Sequence, residues 1–191
     1  MSETPCLPVA VLDHPVWSKL SHYIIGSETA SLSFEQRLAR ENGWRADFTK
    51  RVIEEYRRFV FLATVADHDV TPSDAVDQAW HLHLTYTRDY WERFCPTVIG
   101  RPLHHGPTAG GADEQHRFFD QYAATLAAYE RWFGQAPPAD IWPDARRRFF
   151  RDPQMRRVDP AEAFILPRRP TLFAVGALAL LALSILWLSL T

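Results

Sequence analysis

Five of the eight histidines fall between positions 68 and 105, and Cys95 falls among them. The stretch reads DAVDQAWHLHLTYTRDYWERFCPTVIGRPLHHGPT. His81, His83, Cys95, His104 and His105 can each hold a metal ion once deprotonated. Imidazole and thiolate together suit a borderline divalent ion, zinc above magnesium or calcium.

Spacing limits which of them act together. A helix turns about 100° per residue, so His81 and His83 point about 200° apart and one ion cannot take both without a distortion. Asp77 and His81 are four residues apart and share a face, so Asp77 either orients the His81 ring or offers an oxygen itself. His81 is thus the better-supported ligand, and His83 serves equally as a core imidazole. His81 and Cys95 are separated by about 21 Å of straight helix, so a shared ion requires the helix to end well before Cys95. The stop at Pro96 and the loop after it can fold the His104–His105 pair back onto that helix. The pattern matches neither C-x-x-C nor H-E-x-x-H, and a hydrogen-bonded structural role for the cluster stays open.

The elements that must position these residues read as helices. Asp13 with Pro15 opens a first helix carrying Val16, Leu20 and Ile24. Ser33 and Gln36 form a capping box, and Gly43 closes that short helix. A long helix is expected from about Trp44 to Asp67, with Trp44, Phe48, Val52, Tyr56, Phe59 and Ala63 as its apolar stripe. Thr71 as cap and Pro72 at the first position start the helix bearing the histidines, which runs to about Phe94. Residues 96–112 read as loop. Phe118, Tyr122, Leu126, Tyr129 and Phe133 mark a further helix ending at Gly134, and 140–150 suggests a last short one. No strand-like alternation of useful length appears. The fold class is all-α: a helical domain at 1–150 followed by a C-terminal single transmembrane helix.

Composition supports a packed core. Hydrophobic residues make up 47% of the 191, with seven Trp, twelve Phe and six Tyr, which excludes a disordered chain. Two cysteines exclude a disulfide-stapled mini-domain. Charge divides the chain: residues 1–140 hold thirteen Lys and Arg against nineteen Asp and Glu, whereas 141–170 hold eight Arg against four acids. That gives an acidic body and, at 151–170, a basic neck. From Thr171 to Thr191 no charge occurs, and this length of helix covers roughly 31 Å, close to a bilayer's hydrocarbon thickness. Residues 171–191 are therefore expected to be a transmembrane anchor. Arg168 and Arg169 beside it predict a single-pass membrane protein with a cytoplasmic N-terminal domain, where a Cys6–Cys95 disulfide is not expected.

A resemblance rests on two strings. Val76-Asp77-x-x-Trp80-His81-x-His83-Leu84 is followed by Tyr90, Phe94-Cys95, Gly100 and His104-His105-x-Pro107. Tyr122-x-x-Thr125-Leu126-x-x-Tyr129-x-x-x-Phe133-Gly134 is followed by Pro137-Pro138 and Ile141-Trp142-Pro143. Over about 45–143 the chain resembles the glycine-rich domain-containing protein family. The resemblance implies a helical fold and no particular reaction. With eight Gly and no Gly-rich tail, the chain carries no implied link to RNA.

Three functions compete. The first is a membrane-tethered binding or assembly module with a His/Cys zinc-like site. The second is a metal-dependent, hydrolase-type enzyme at the membrane face, in which an ion activates water. The third is a metal-free scaffold whose histidines knit loop to helix. The lipid bilayer is the expected partner, with a membrane protein as another. Nucleic acid is not, because the body is acidic.

Overall fold

The computed structural model describes residues 7–27, 29–106, 108–151, 176 and 178–181. The chain divides into two units, Met1–Asp152 and Pro153–Thr191. Every element named below belongs to the first.

Among the described residues all regular structure is helical: α1 (Val9–Leu12), α2 (Pro15–His22), α3 (Phe34–Asn42), α4 (Ala46–Val65), α5 (Asp74–Thr85), a π-helix (Asp89–Ile99), α6 (Ala112–Phe133) and α7 (Ala145–Phe150). The all-α expectation holds for this unit. Helix α4 is its mast, packing against α2, α3, α5 and α6. Val52, Tyr56 and Phe59 of the expected stripe are buried, but so are Ile53, Val60, Phe61 and Leu62. A helix covered on several faces needs apolar residues all round, and the second half of α4 has them.

Local end signals mostly act as expected. Ser33 and Gln36 bond reciprocally as a capping box, and Gly43 and Gly134 end α3 and α6 at φ of +65°. Two caps sit elsewhere. His14, not Asp13, accepts the Val16 N–H and opens α2. Ser73, not Thr71, accepts the Val76 N–H and opens α5, while the Thr71 N–H is taken by Thr125 across the core.

The expected continuous helix from Thr71 to Phe94 breaks at Tyr86, whose backbone leaves the helical region at φ −84° and ψ 57°. It resumes as the π-helix, passes through Pro96, and ends at Gly100 with φ +74°. The break has a visible consequence. Asp89 reaches His83, six residues earlier, at 3.1 Å. On an uninterrupted α-helix that spacing puts the two roughly 240° apart. A π-helix segment is uncommon and concentrates at functional sites.

The membrane expectation is corrected. No helix among the described residues is long and apolar enough to cross a membrane. The two that reach the length, α4 and α6, carry charged faces such as Lys50, Arg51, Glu54 and Arg57, and Asp113, Glu114 and Arg117. That overturns the single-pass membrane placement and the cytoplasmic orientation built on it. Residues 171–191, on which it rested, lie outside the described residues apart from 176 and 178–181, which are helical. The basic neck beyond Arg151 lies outside them as well.

Candidate metal centre

Three ligand-bearing side chains meet at one point. Asp77 and His81 project from the same face of α5, as their spacing requires, and His105 arrives from the loop after the π-helix. Their donor atoms lie within 4.8 Å of one another. His105 Nε2 is 2.9 Å from Asp77 Oδ1 and 2.9 Å from His81 Nε2. His81 Nε2 stands 3.7 Å from Asp77 Oδ2. Asp77 and His105 are partly buried and His81 is exposed, so the trio sits at the surface with its carboxylate inward. The hydrogen bond to Asp77 raises the His105 pKa, against an opposing effect of burial.

The loop is held there by an aromatic chain. Trp80 Nε1 donates to the Tyr90 hydroxyl at 2.9 Å, and that hydroxyl donates to the Leu103 carbonyl at 2.6 Å. The Trp80 ring then packs on the His105 ring, with centroids 4.6 Å apart. Trp80 and Tyr90 are buried, so these bonds form where water does not compete. On sequence alone Trp80 reads as simple core, and Leu103 gives no signal. A buried indole and phenol ten residues apart, each needing a partner for its polar atom, were the available clue.

The remaining candidates lie elsewhere. His83 is fully buried and faces away from His81, as a regular helix demands. Both of its nitrogens are occupied: Nε2 donates to the Asp89 carboxylate at 3.1 Å, and the Tyr56 hydroxyl donates to Nδ1 at 2.9 Å. Burial lowers its pKa, so the ring is neutral. Asp89 would be raised by burial, but bonds from His83 and Tyr23 and the charge of Arg93 together hold it below the usual carboxylate range. Cys95 is free and buried; burial raises its thiol pKa, countered in part by bonds with the Leu103 backbone and Tyr90. His104, the immediate neighbour of His105, is exposed, its ring tilted against that of Trp91 with centroids 5.2 Å apart. The structure thus brings His81, His105 and Asp77 together and places His83, Cys95 and His104 apart from them.

A second buried polar knot has no counterpart in the sequence reading. Glu55, 3% exposed in the centre of α4, accepts from Trp142 Nε1 at 2.9 Å and from the Tyr129 hydroxyl at 3.3 Å, and pairs with Arg58. Burial raises its pKa even so.

Residues 24–117 match the profile of a family described as UCP032817-like. No curated protein and no solved structure matches the chain. The chain is similar to that family, and the resemblance to the glycine-rich domain-containing proteins is corrected. The second string that carried it, 122–143, falls outside the matched range. Its Tyr122, Tyr129, Phe133, Ile141 and Trp142 are buried packing residues, which any helical core of this kind would call for. The matched range contains the entire trio and the aromatic chain that holds it.

Proposed function

We propose that this domain binds one divalent transition-metal ion through Asp77, His81 and His105, and that the ion keeps an open position for an exchangeable ligand. One observation carries the reading: three acceptor atoms converge, and the protons do not suffice to pair them. A ring nitrogen holds at most one proton, so His105 Nε2 cannot make full hydrogen bonds to both of its 2.9 Å neighbours. A cation at the centre lets all three atoms contribute lone pairs. Ligands about 2.0–2.2 Å from one ion stand roughly 2.9–3.5 Å apart; the two His105 separations of 2.9 Å meet this, and His81 Nε2, 3.7 Å from Asp77 Oδ2, has to draw in slightly. Two imidazoles and a carboxylate suit zinc or a neighbouring first-row ion.

The count of ligands favours one of the competing functions. Structural zinc sites close with four protein ligands, whereas catalytic sites keep three and leave a position for water or substrate. Among the described residues no fourth His, Cys, Asp or Glu joins the trio. An open position supports a metal-dependent, hydrolase-type centre, in which bound water becomes a usable nucleophile near neutral pH. A metal-free clasp is the second reading. It is favoured by the 2.9 Å contact between His105 Nε2 and the Asp77 carboxylate, which ties loop to helix and raises the His105 pKa.

Elemental analysis of the full chain after reconstitution and desalting separates them. About one ion per chain is expected, lost in H81A and H105A and retained in H83N. A folded wild-type protein that retains no stoichiometric metal would overturn the proposal and leave the clasp.

A further inference from the structure

Beside the trio lies a cavity of about 790 Å³. That is within the range of small-molecule pockets, and Asp77 and His105 form part of its wall. Three arginines line it from three different segments: Arg101 from the loop, Arg117 from α6 and Arg148 from α7. Asp67, Asp69 and Asp77 also line it, so the bare wall is balanced, and a divalent ion on the trio tips it positive.

The arginines are not equally committed. Arg117 is paired with Glu114, and Arg101 donates to the Ala63 carbonyl. Arg148 is the under-compensated one. Its side chain is only 21% exposed, its carboxylate neighbour Asp74 stands off at 4.0 Å, and its Nε is buried without a hydrogen-bond partner. Its guanidinium carbon lies 5.5 Å from the Phe149 ring centroid, a cation–π contact that compensates part of the charge, and an anion in the cavity would supply the close partner that Asp74 does not. His68, on the same wall, gives its Nδ1–H to the Asp69 carbonyl and keeps a buried Nε2 without a partner; in the neutral ring that nitrogen accepts, and it would meet a hydroxyl or a protonated oxygen of the ligand. Trp80, Phe118 and Phe149 supply an apolar surface between these groups.

We propose that this cavity takes a small organic anion, its oxyanion group held between the metal on the trio and the Arg148 guanidinium and its apolar body against Trp80, Phe118 and Phe149. This rests on the metal-binding reading above. Phosphate and carboxylate share the required chemistry. Guanidinium meets either in a fork of parallel bonds, and either can occupy an open metal position.

Full-length protein loaded with one equivalent of Co²⁺ tests both readings separately. The visible bands of cobalt in the trio report metal binding, and their change on titration reports an anion entering its open position. Phenyl phosphate and benzoate are the probes, with benzyl alcohol as the neutral control. One or both anions should shift the bands and saturate, and whichever binds more tightly identifies the oxyanion. Benzyl alcohol should not shift them. Arg148→Gln should weaken the anion about tenfold or more while leaving cobalt affinity unchanged, since a bond to a charged group contributes on that scale. Arg148→Lys should recover part of the loss, and wild-type protein titrated with and without cobalt gives a comparison that depends on no variant. Bands that form but respond to neither anion would overturn the anion site alone, as would an R148Q response equal to wild type or anion affinity indifferent to the metal. Absence of bands would overturn the metal reading and this one with it.

Discussion

Replacing Tyr90 by Phe removes one oxygen and leaves the ring in place, so the change isolates the bonds that pin the metal loop. The hydroxyl accepts from Trp80 Nε1 at 2.9 Å and donates to the Leu103 carbonyl at 2.6 Å. Tyr90 is fully buried and Trp80 is 6% exposed, so the indole N–H loses its partner with almost no access to water. An abandoned buried polar group costs about 1–3 kcal/mol; the Trp80 N–H becomes one, and the carbonyl of half-buried Leu103 loses its partner at a smaller cost. Removing the hydroxyl's own desolvation cost offsets part of this, leaving a net destabilisation of about 2–3 kcal/mol. For a domain of this size that corresponds to a fall in Tm of roughly 5–10 °C. Urea unfolding of metal-free Tyr90→Phe and wild type gives the difference directly. Metal affinity should fall as well, because His105 then has to be ordered by the ion and not by Leu103 and Trp80. A Tyr90→Phe protein within about 0.5 kcal/mol of wild type, with unaltered metal affinity, would refute the pinning role; changes that small are what surface substitutions produce.

Other consequences can be checked in parallel. Cys95→Ala and His104→Ala should leave metal stoichiometry unchanged, measured by elemental analysis, because neither side chain reaches the trio. Burial lowers the His83 pKa, so the unfolded chain binds its proton first and stability should fall as pH drops below about 6.5. The His105 imidazole, raised by Asp77, pulls the opposite way. The test is therefore the difference between metal-free wild type and His83→Asn, which share His105: the variant should lose less stability between pH 7.5 and 5, and equal slopes would count against a neutral buried His83. Glu55→Ala should cost about 3–5 kcal/mol by urea unfolding, since it takes the carboxylate from Arg58, which keeps only the Tyr129 hydroxyl and ring contacts, and leaves the Trp142 N–H without its acceptor; a loss under 1 kcal/mol would show that the knot is dispensable.

What the sequence makes legible here is what acts over a few residues. The Ser33–Gln36 box, the glycines at 43 and 134, and the opposition of His81 and His83 all follow from backbone geometry within a turn or two. The same rule pairs Asp77 with His81 correctly. Choosing His105 over His104 could not be done this way, because adjacent loop residues differ only in which way the chain is turned. That is decided by Tyr90 reaching Leu103. Cys95 looks like a ligand by type, yet its place in a broad helix buries it against Tyr90. Glu55 was hidden for the opposite reason: it lies amid Glu54, Arg57 and Arg58, a run that reads as a solvated face, and its partner Trp142 is 87 residues away. The choice between Ser73 and Thr71 turned on Thr125, also far along the chain.

The path of the chain between the two halves of the trio has a kinetic meaning. Asp77 and His105 are 28 positions apart, and the segment between them contains the end of α5, the break at Tyr86 and the whole π-helix. An ion joining them acts as a crosslink closing that loop. Loop closure of this length removes about 3 kcal/mol of conformational entropy from any state in which the segment has opened. The protection is therefore regional. Amide exchange across 86–104 should slow on metal addition, while α6, outside the closed loop, should exchange as before. Opening of the π-helix would then be a motion that the metal gates, with the rest of the helical domain indifferent to whether the ion is there.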